Sequence, residues 1–192
     1  MKRAFFALLA GIALLLTACG QAPAPAAPAE PAETAGDTNP VESGILSAFT
    51  TRDLEGNILD QDILKGKKLT VVNVWATFCG PCLRELPELE KLSREMEGKG
   101  VQIIGIAADV TDWNGQVRGE LLELAKEIVS QTGVSFPSLI PCRDLAALSG
   151  VQSFPTTIFV DENGCQIGGA YVGARDLAQW RYLVEAALEK LS

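Results

Sequence analysis

The chain has 192 residues, 47% of them hydrophobic and 21% charged, which is enough to bury one core of about 150 residues but not two. Its formal charge is −8, with 16 basic against 24 acidic side chains and no basic cluster beyond the first three residues, so the composition argues against a nucleic-acid partner. There is no histidine, which excludes histidine triads, histidine-ligated zinc or copper and imidazole acid–base chemistry, and leaves five cysteines as the obvious chemical resource.

Lys2 and Arg3 precede an uncharged run from Ala4 to Ala18, short for a membrane span of about 20 residues but suited to the apolar region of a secretory signal. The closing Leu16-Thr17-Ala18-Cys19 resembles a bacterial lipobox, in which the cysteine is acylated and becomes the new N-terminus. That resemblance implies a signal peptide over residues 1–18, a lipid anchor at Cys19 and a location on the extracytoplasmic face of a bacterial membrane. An ordinary signal peptide with an incidental cysteine, or an uncleaved anchor helix, is the competing reading. Residues 20–40 hold five of the ten prolines and no large apolar side chain, so 19–40 reads as a lipidated cysteine and an Ala/Pro-rich tether. Extended, such a tether could reach roughly 60 Å.

Residues 41–192 alternate short apolar runs with amphipathic stretches. Residues 69–76, LTVVNVWA, read as a strand buried on both faces. From Pro81 to about Met96, Leu83, Leu86, Leu89 and Leu92 mark one face of a helix that Pro87 is expected to kink or distort. Val101–Ala107 predicts a second buried strand, Glu120–Gln131 a helix, Phe136–Ile140 a third strand and Arg143–Leu148 a short helix. Thr156–Val160 and Gln166–Val172 flank Asp161-Glu162-Asn163-Gly164, a hairpin signal, and Asp176–Leu191 predicts a closing helix. The alternation implies an α/β fold around a sheet with one antiparallel part.

The chemistry concentrates in Trp75-Ala76-Thr77-Phe78-Cys79-Gly80-Pro81-Cys82, where a CxxC follows a buried strand and opens a helix. Free N–H groups and the dipole at a helix N-terminus stabilise a thiolate, so Cys79 is expected to be a solvent-open, acidified thiol and Cys82 a deeper, resolving one. Pro81 suits the first turn, where no N–H is needed. A zinc site would need a second ligand pair, and Cys142 and Cys165 are too widely spaced to form one. A permanent structural disulfide is the other alternative.

WATFCGPC resembles the active-site segment of the thioredoxin superfamily, and specifically its TlpA/ResA-like extracytoplasmic thiol–disulfide oxidoreductases, with the order of elements similar from about Val41 to Ser192. The resemblance implies a thioredoxin-like fold, a central mixed sheet flanked by helices with an N-terminal extension and an inserted strand–helix element. It also implies a protein-disulfide reductase without a bound cofactor, whose redox group is the Cys79–Cys82 pair. A cis-proline faces the dithiol in that family, and Phe154-Pro155-Thr156-Thr157 matches the position. Phe78, Gly80, Pro81 and Phe154 are then expected to contact substrate. Asn73 stands where cytoplasmic thioredoxins carry a proton-managing Asp, and cannot titrate; Glu85 matches a glutamate proposed for that work in ResA-like proteins. Equally, Glu85 could be a favourable acid in a first helical turn. Implied partners are disulfide-containing proteins outside the cytoplasm and a membrane electron donor of the CcdA/DsbD kind. Cys142 reads as an extra thiol near the site or as incidental, and Cys165 as too distant to pair with it. Two rivals are weaker: a peroxiredoxin-like peroxidase needs a Pro-x-x-x-Thr-x-x-Cys pattern, and a Sco-like copper module needs CxxxC and a histidine, and neither is present.

Overall fold

The computed structural model describes residues 44–149 and 151–191; the expected signal peptide (1–18), Cys19 and the expected tether to residue 40 lie outside the described residues. The N-terminal extension is a hairpin of β1 (Thr50–Arg52) and β2 (Ile58–Asp60), followed by a 3-10 turn over Gln61–Leu64. Three-residue strands show no periodicity, so only the turn chemistry marks this element. The Asp53 carboxylate accepts from the Asn57 backbone at 2.8 Å and from the Asn57 side chain at 2.9 Å.

The main sheet contains β3 (Leu69–Trp75), β4 (Val101–Ala107), β5 (Ser138–Leu139), β6 (Thr156–Val160) and β7 (Gln166–Val172), in the order β5-β4-β3-β6-β7. β3, β4 and β5 are parallel, while β6 and β7 run antiparallel to their neighbours. Among the described residues, four α-helices accompany it: α1 (Gly80–Met96), α2 (Gly119–Thr132), α3 (Ala146–Ser149) and α4 (Leu177–Lys190). This is the expected mixed sheet flanked by helices. Among the described residues, no helix is long and apolar enough to cross a membrane.

Strand alternation divides the core into two layers. Val71, Trp75, Ile103 and Phe159 pack with Leu86 and Leu89 of α1, Ile128 of α2 and Trp180 and Val184 of α4. Val72, Val74, Ile104, Ile106, Ile158 and Val160 pack on the other side with Leu46, Phe49, Leu64, Leu145 and Leu148. Each such fully buried side chain contributes about 1.5–3 kcal/mol relative to exposure. The same alternation sets Asn73 and Thr157, which are paired across β3 and β6, on the α1/α4 face. Gly105 in β4 answers a need for space, because a Cβ there would lie 2.5 Å from Ser138 Oγ and 3.0 Å from Trp75 Nε1.

Two expectations need correction. Helix α1 runs unbroken through Pro87, although proline removes one i→i−4 hydrogen bond. Leu86 and Leu89 on either side of it are fully buried, and their packing holds the turn. The third strand shrinks from Phe136–Ile140 to Ser138–Leu139. Only Ser138 and Leu139 pair with β4, and this edge also bonds the N-terminal segment: the Leu54 N–H donates to Ser138 O at 3.0 Å and the Ile140 N–H to Arg52 O at 2.8 Å. Helix α4 starts as expected, with a capping box in which Asp176 accepts from the Gln179 N–H and Gln179 from the Asp176 N–H.

The β6–β7 turn forms where Asp161–Gly164 predicts it, with Asp161 Oδ1 accepting from the backbones of Asn163 and Cys165 at 2.9 and 2.8 Å. It also receives the N-terminal segment, since the Leu46 N–H donates to Gly164 O at 3.1 Å. Gly164 combines φ +76° with that contact, and a Cβ on it would lie 2.4 Å from the Leu46 carbonyl carbon. Gly164→Ala should therefore cost about 2–4 kcal/mol in urea denaturation, through both backbone strain and overpacking. Gly168→Ala, with φ +71° but open space around it, should cost about 1–2 kcal/mol. Equal losses would show that docking of Leu46 does not constrain the turn.

Candidate active site

The chain leaves β3 through a short, pinned connection. The Ala108 N–H donates to Trp75 O at 2.8 Å, and Asp109 accepts from Thr77 N–H at 3.0 Å and from Thr77 Oγ1 at 2.5 Å. The Cys79 N–H then turns back onto Ala76 O at 3.1 Å. Cys79 is the N-cap of α1, with extended φ −88° and ψ 93°, and its sulfur accepts the Cys82 N–H at 3.2 Å. A sulfur thus occupies the place usually taken by a Ser or Asp oxygen. On reduction, that N–H and the helix dipole favour the thiolate of Cys79. Cys79 and Cys82 are joined as a disulfide, with Cα atoms 5.3 Å apart.

Cys79 is not solvent-open in this oxidised state. It is 6% exposed against 1% for Cys82, so the expected order holds but both sulfurs belong to the α1-side core cluster. Bonding to Cys82 holds the Cys79 sulfur against the helix, and the neighbouring Phe78, 73% exposed, takes the surface instead. Phe78 meets Phe154 edge-to-face, with ring centroids 6.0 Å apart. The Phe154–Pro155 peptide bond is cis, and Pro155 O accepts from the Gly173 N–H at 2.9 Å. Because Val74 pairs with Thr156, Pro155 sits at the end of β3 from which the dithiol segment departs. Gly80, half-buried, and Pro81, exposed, form the first turn beside it.

Glu85 is not a first-turn acid. Helix α1 begins at Gly80, and Glu85 lies in its second turn, facing inward and 2% exposed, three residues and so one face along from Cys82. Its Oε1 accepts from the Arg175 N–H at 2.8 Å and Trp180 Nε1 at 3.0 Å, and its Oε2 from Asn73 Nδ2 at 3.2 Å. Burial pushes its pKa up to about 7, against the pull of those three donors and of the Arg175 charge. Glu90, one further turn along and also buried, moves the opposite way. Burial raises it too, but hydrogen bonds from Ser135 and Arg94 outweigh that and leave it below the usual carboxylate range.

Trp180, Arg175, Thr157 and Asp109 carry no local sequence signal for these contacts. Trp180 reads as one more apolar-face residue of a helix, and Arg175 and Asp109 as loop charges. In the structure, the Arg175 guanidinium lies 5.3 Å from the centroids of both the Tyr171 and Trp180 rings. Cys142 and Cys165 are free thiols. Cys142 is half-buried and lines a cleft of about 590 Å³ with Trp113 and Arg143, whereas Cys165 is exposed at the end of β6 opposite Pro155.

The raised pKa of Glu85 makes folding depend on pH with a defined sign. Between about 4.5 and 7 the folded chain holds the Glu85 proton and the unfolded chain has released it. Stability of the oxidised protein should therefore fall by about 3 kcal/mol as pH rises through that window, and Glu85→Gln should remove this dependence. Urea denaturation of both proteins between about pH 4 and 8 measures it. Parallel curves would mean that Glu85 titrates normally.

The Redoxin family matches residues 34–177 of this chain. The thiol–disulfide oxidoreductase ResA of Halalkalibacterium halodurans is 35% identical over 118 residues, 60% of each protein. Thioredoxin-like protein YneN of Bacillus subtilis is 31% identical over 116 residues, 60% of this chain and 63% of that one. The aligned part thus spans about 60% of the length of these relatives. Among solved structures, a thiol:disulfide interchange protein of the thioredoxin family from Chlorobium tepidum TLS superimposes with a TM-score of 0.62 at 25% identity, over 79% of this chain and 99% of that one. With its five-stranded mixed sheet and its dithiol at the start of α1, the chain belongs to the redoxin family and is a ResA/TlpA-like member of the thioredoxin superfamily.

Proposed function

We propose that the protein is a thiol–disulfide oxidoreductase that reduces disulfides in proteins outside the cytoplasm, held at a membrane through lipid on Cys19. The observation that carries this reading is the Cys79–Cys82 disulfide at the N-terminus of α1, with the Cys82 N–H directed at the Cys79 sulfur. In the reduced protein the Cys79 thiolate attacks a substrate disulfide, forming a mixed disulfide and releasing one substrate thiolate, which takes up a proton. Cys82, deprotonated by the Glu85 carboxylate, then attacks the Cys79 sulfur. The second substrate sulfur leaves as thiolate and takes up the proton that Glu85 gives back, while the Cys79–Cys82 bond re-forms. Two electrons and two protons have passed to the substrate. A membrane dithiol donor of the CcdA/DsbD kind restores the reduced pair, and the names of the relatives support the class of chemistry.

Phe78 and Phe154 form an apolar lip beside the disulfide, and Pro155, Gly80 and Pro81 complete the surface against which an extended substrate segment would lie. Cys79→Ser should abolish reduction of an insulin-type disulfide, while Cys82→Ser should accumulate a mixed disulfide with substrate. Alkylation of the reduced chain at about pH 6–7 should label Cys79 first, and faster labelling of Cys82 would reverse the roles. The midpoint potential tests direction: a value near thioredoxin's, about −270 mV, fits a reductase, and one near −120 mV an oxidase. Replacing Cys19 with Ala should release an active protein from the membrane fraction.

A further inference from the structure

The Glu85 carboxylate offers about four acceptor positions on two oxygens. Oε1 is filled by two donors, the Arg175 N–H at 2.8 Å and the Trp180 indole N–H at 3.0 Å. Neither can reverse, because a backbone amide nitrogen and an indole nitrogen present a hydrogen and no lone pair. A proton arriving on Oε1 would face both hydrogens. Oε2 has the single donor Asn73 Nδ2, whose second partner is Thr157 Oγ1 at 2.9 Å. That side chain can turn over. Its carbonyl would then accept from a protonated Oε2 and from the Thr157 hydroxyl, which donates as readily as it accepts. Only Oε2 has a partner in both charge states.

We propose that Trp180, together with the Arg175 backbone amide, is a positioning residue that occupies Oε1 of Glu85, so that the carboxyl takes up and releases its proton at Oε2 against the Asn73–Thr157 pair. The inference rests on the reading of Glu85 as the acceptor of the Cys82 proton. The transfer is a plain exchange: Cys82 loses its proton to Oε2, and the sulfur electrons so freed attack Cys79 while the substrate thiolate leaves. The Arg175 side chain holds the turn that presents its amide, with Nη1 donating to Gly173 O at 2.9 Å and the guanidinium stacked near Tyr171 and Trp180. The titratable or charged groups around Glu85 are the Arg175 guanidinium and, on α1 itself, Cys79 and Cys82, while the Tyr171 ring of β7 packs behind them against Trp180 and Arg175. β3, β6 and α4 contribute the neutral Asn73, Thr157 and Trp180.

The test is the pH dependence of mixed-disulfide resolution in the full chain, compared for the wild type, Trp180→Phe, Glu85→Gln and the double variant. Phenylalanine keeps an aromatic ring in the core but has no N–H. Losing one charge-assisted hydrogen bond should move the Glu85-dependent limb of Trp180→Phe upward by about one pH unit, a tenfold change in proton affinity. The double variant should overlay Glu85→Gln. A Trp180→Phe profile that overlays the wild type while Glu85→Gln is shifted overturns the positioning role and leaves the proton role of Glu85 standing. A Glu85→Gln profile that overlays the wild type removes the underlying reading, and the inference with it. Should Trp180→Phe fail to fold, the unmutated protein decides by NMR. The Trp180 indole proton and the Asn73 amide protons should both titrate with the Glu85 midpoint near 7, and resonances that stay flat between about pH 5 and 9 overturn the inference.

Discussion

β3 is paired on both sides, to β4 and β6, and all seven of its side chains are buried, so the whole sheet sets the position of Trp75. Only Ala76–Cys79 separate it from α1, whose first N–H groups have no helical partner. Asp109 holds the middle of that connection through Thr77, and the Cys79 sulfur meets the Cys82 N–H. The atom that caps the helix is here the one that the proposed reaction uses as its nucleophile. Moving the end of β3 would move the sulfur, the cap and the facing Pro155 together, because Val74 pairs with Thr156 in the same register.

The contrast between Glu85 and Glu90 shows what sets the direction in which a buried carboxylate's pKa moves. Both lie on the inward side of α1, and both carry three hydrogen bonds. Arg94, four residues along, reaches Glu90 with its charge in an i,i+4 pair at 2.7 Å, and Ser135 adds a hydroxyl and an amide. Glu85 receives only neutral donors directly, while the Arg175 guanidinium turns to the aromatic rings and the Gly173 carbonyl. Desolvation therefore prevails at one site and loses at the other. A carboxyl near neutrality beside a dithiol is suited to pass protons, whereas Glu90, fixed as an anion, anchors α1 to the segment before β5.

What could be read in advance follows from the range of the forces involved. β3 and β4 announce themselves as unbroken apolar runs, α4 by its apolar face and Asp176 cap, and the CxxC by its place at a strand–helix junction. β1 and β2 were hidden because three-residue strands have no period, and β5 was overdrawn because its pairing with β4 stops at Leu139 and the next N–H, of Ile140, bonds Arg52 instead. The interior of the site was the least legible part. Glu85 sits in a run of alternating Leu and Glu that reads as a solvated helix face, and its donors lie 12, 90 and 95 residues away. Nothing within a helical window can signal such partners. The absence of a titrating side chain at Asn73 was the one local clue that directed attention to Glu85.

The two ends of β6 carry different parts of the structure. Pro155 and the dithiol segment stand at one end of this strand, and the Gly164 turn, onto which Leu46 docks, stands at the other. Five residues of strand separate them by about 17 Å. The described chain thus enters the domain on the side away from the disulfide. The apolar pair of Phe78 and Phe154 beside the disulfide is therefore clear of the segment by which the described chain enters the sheet.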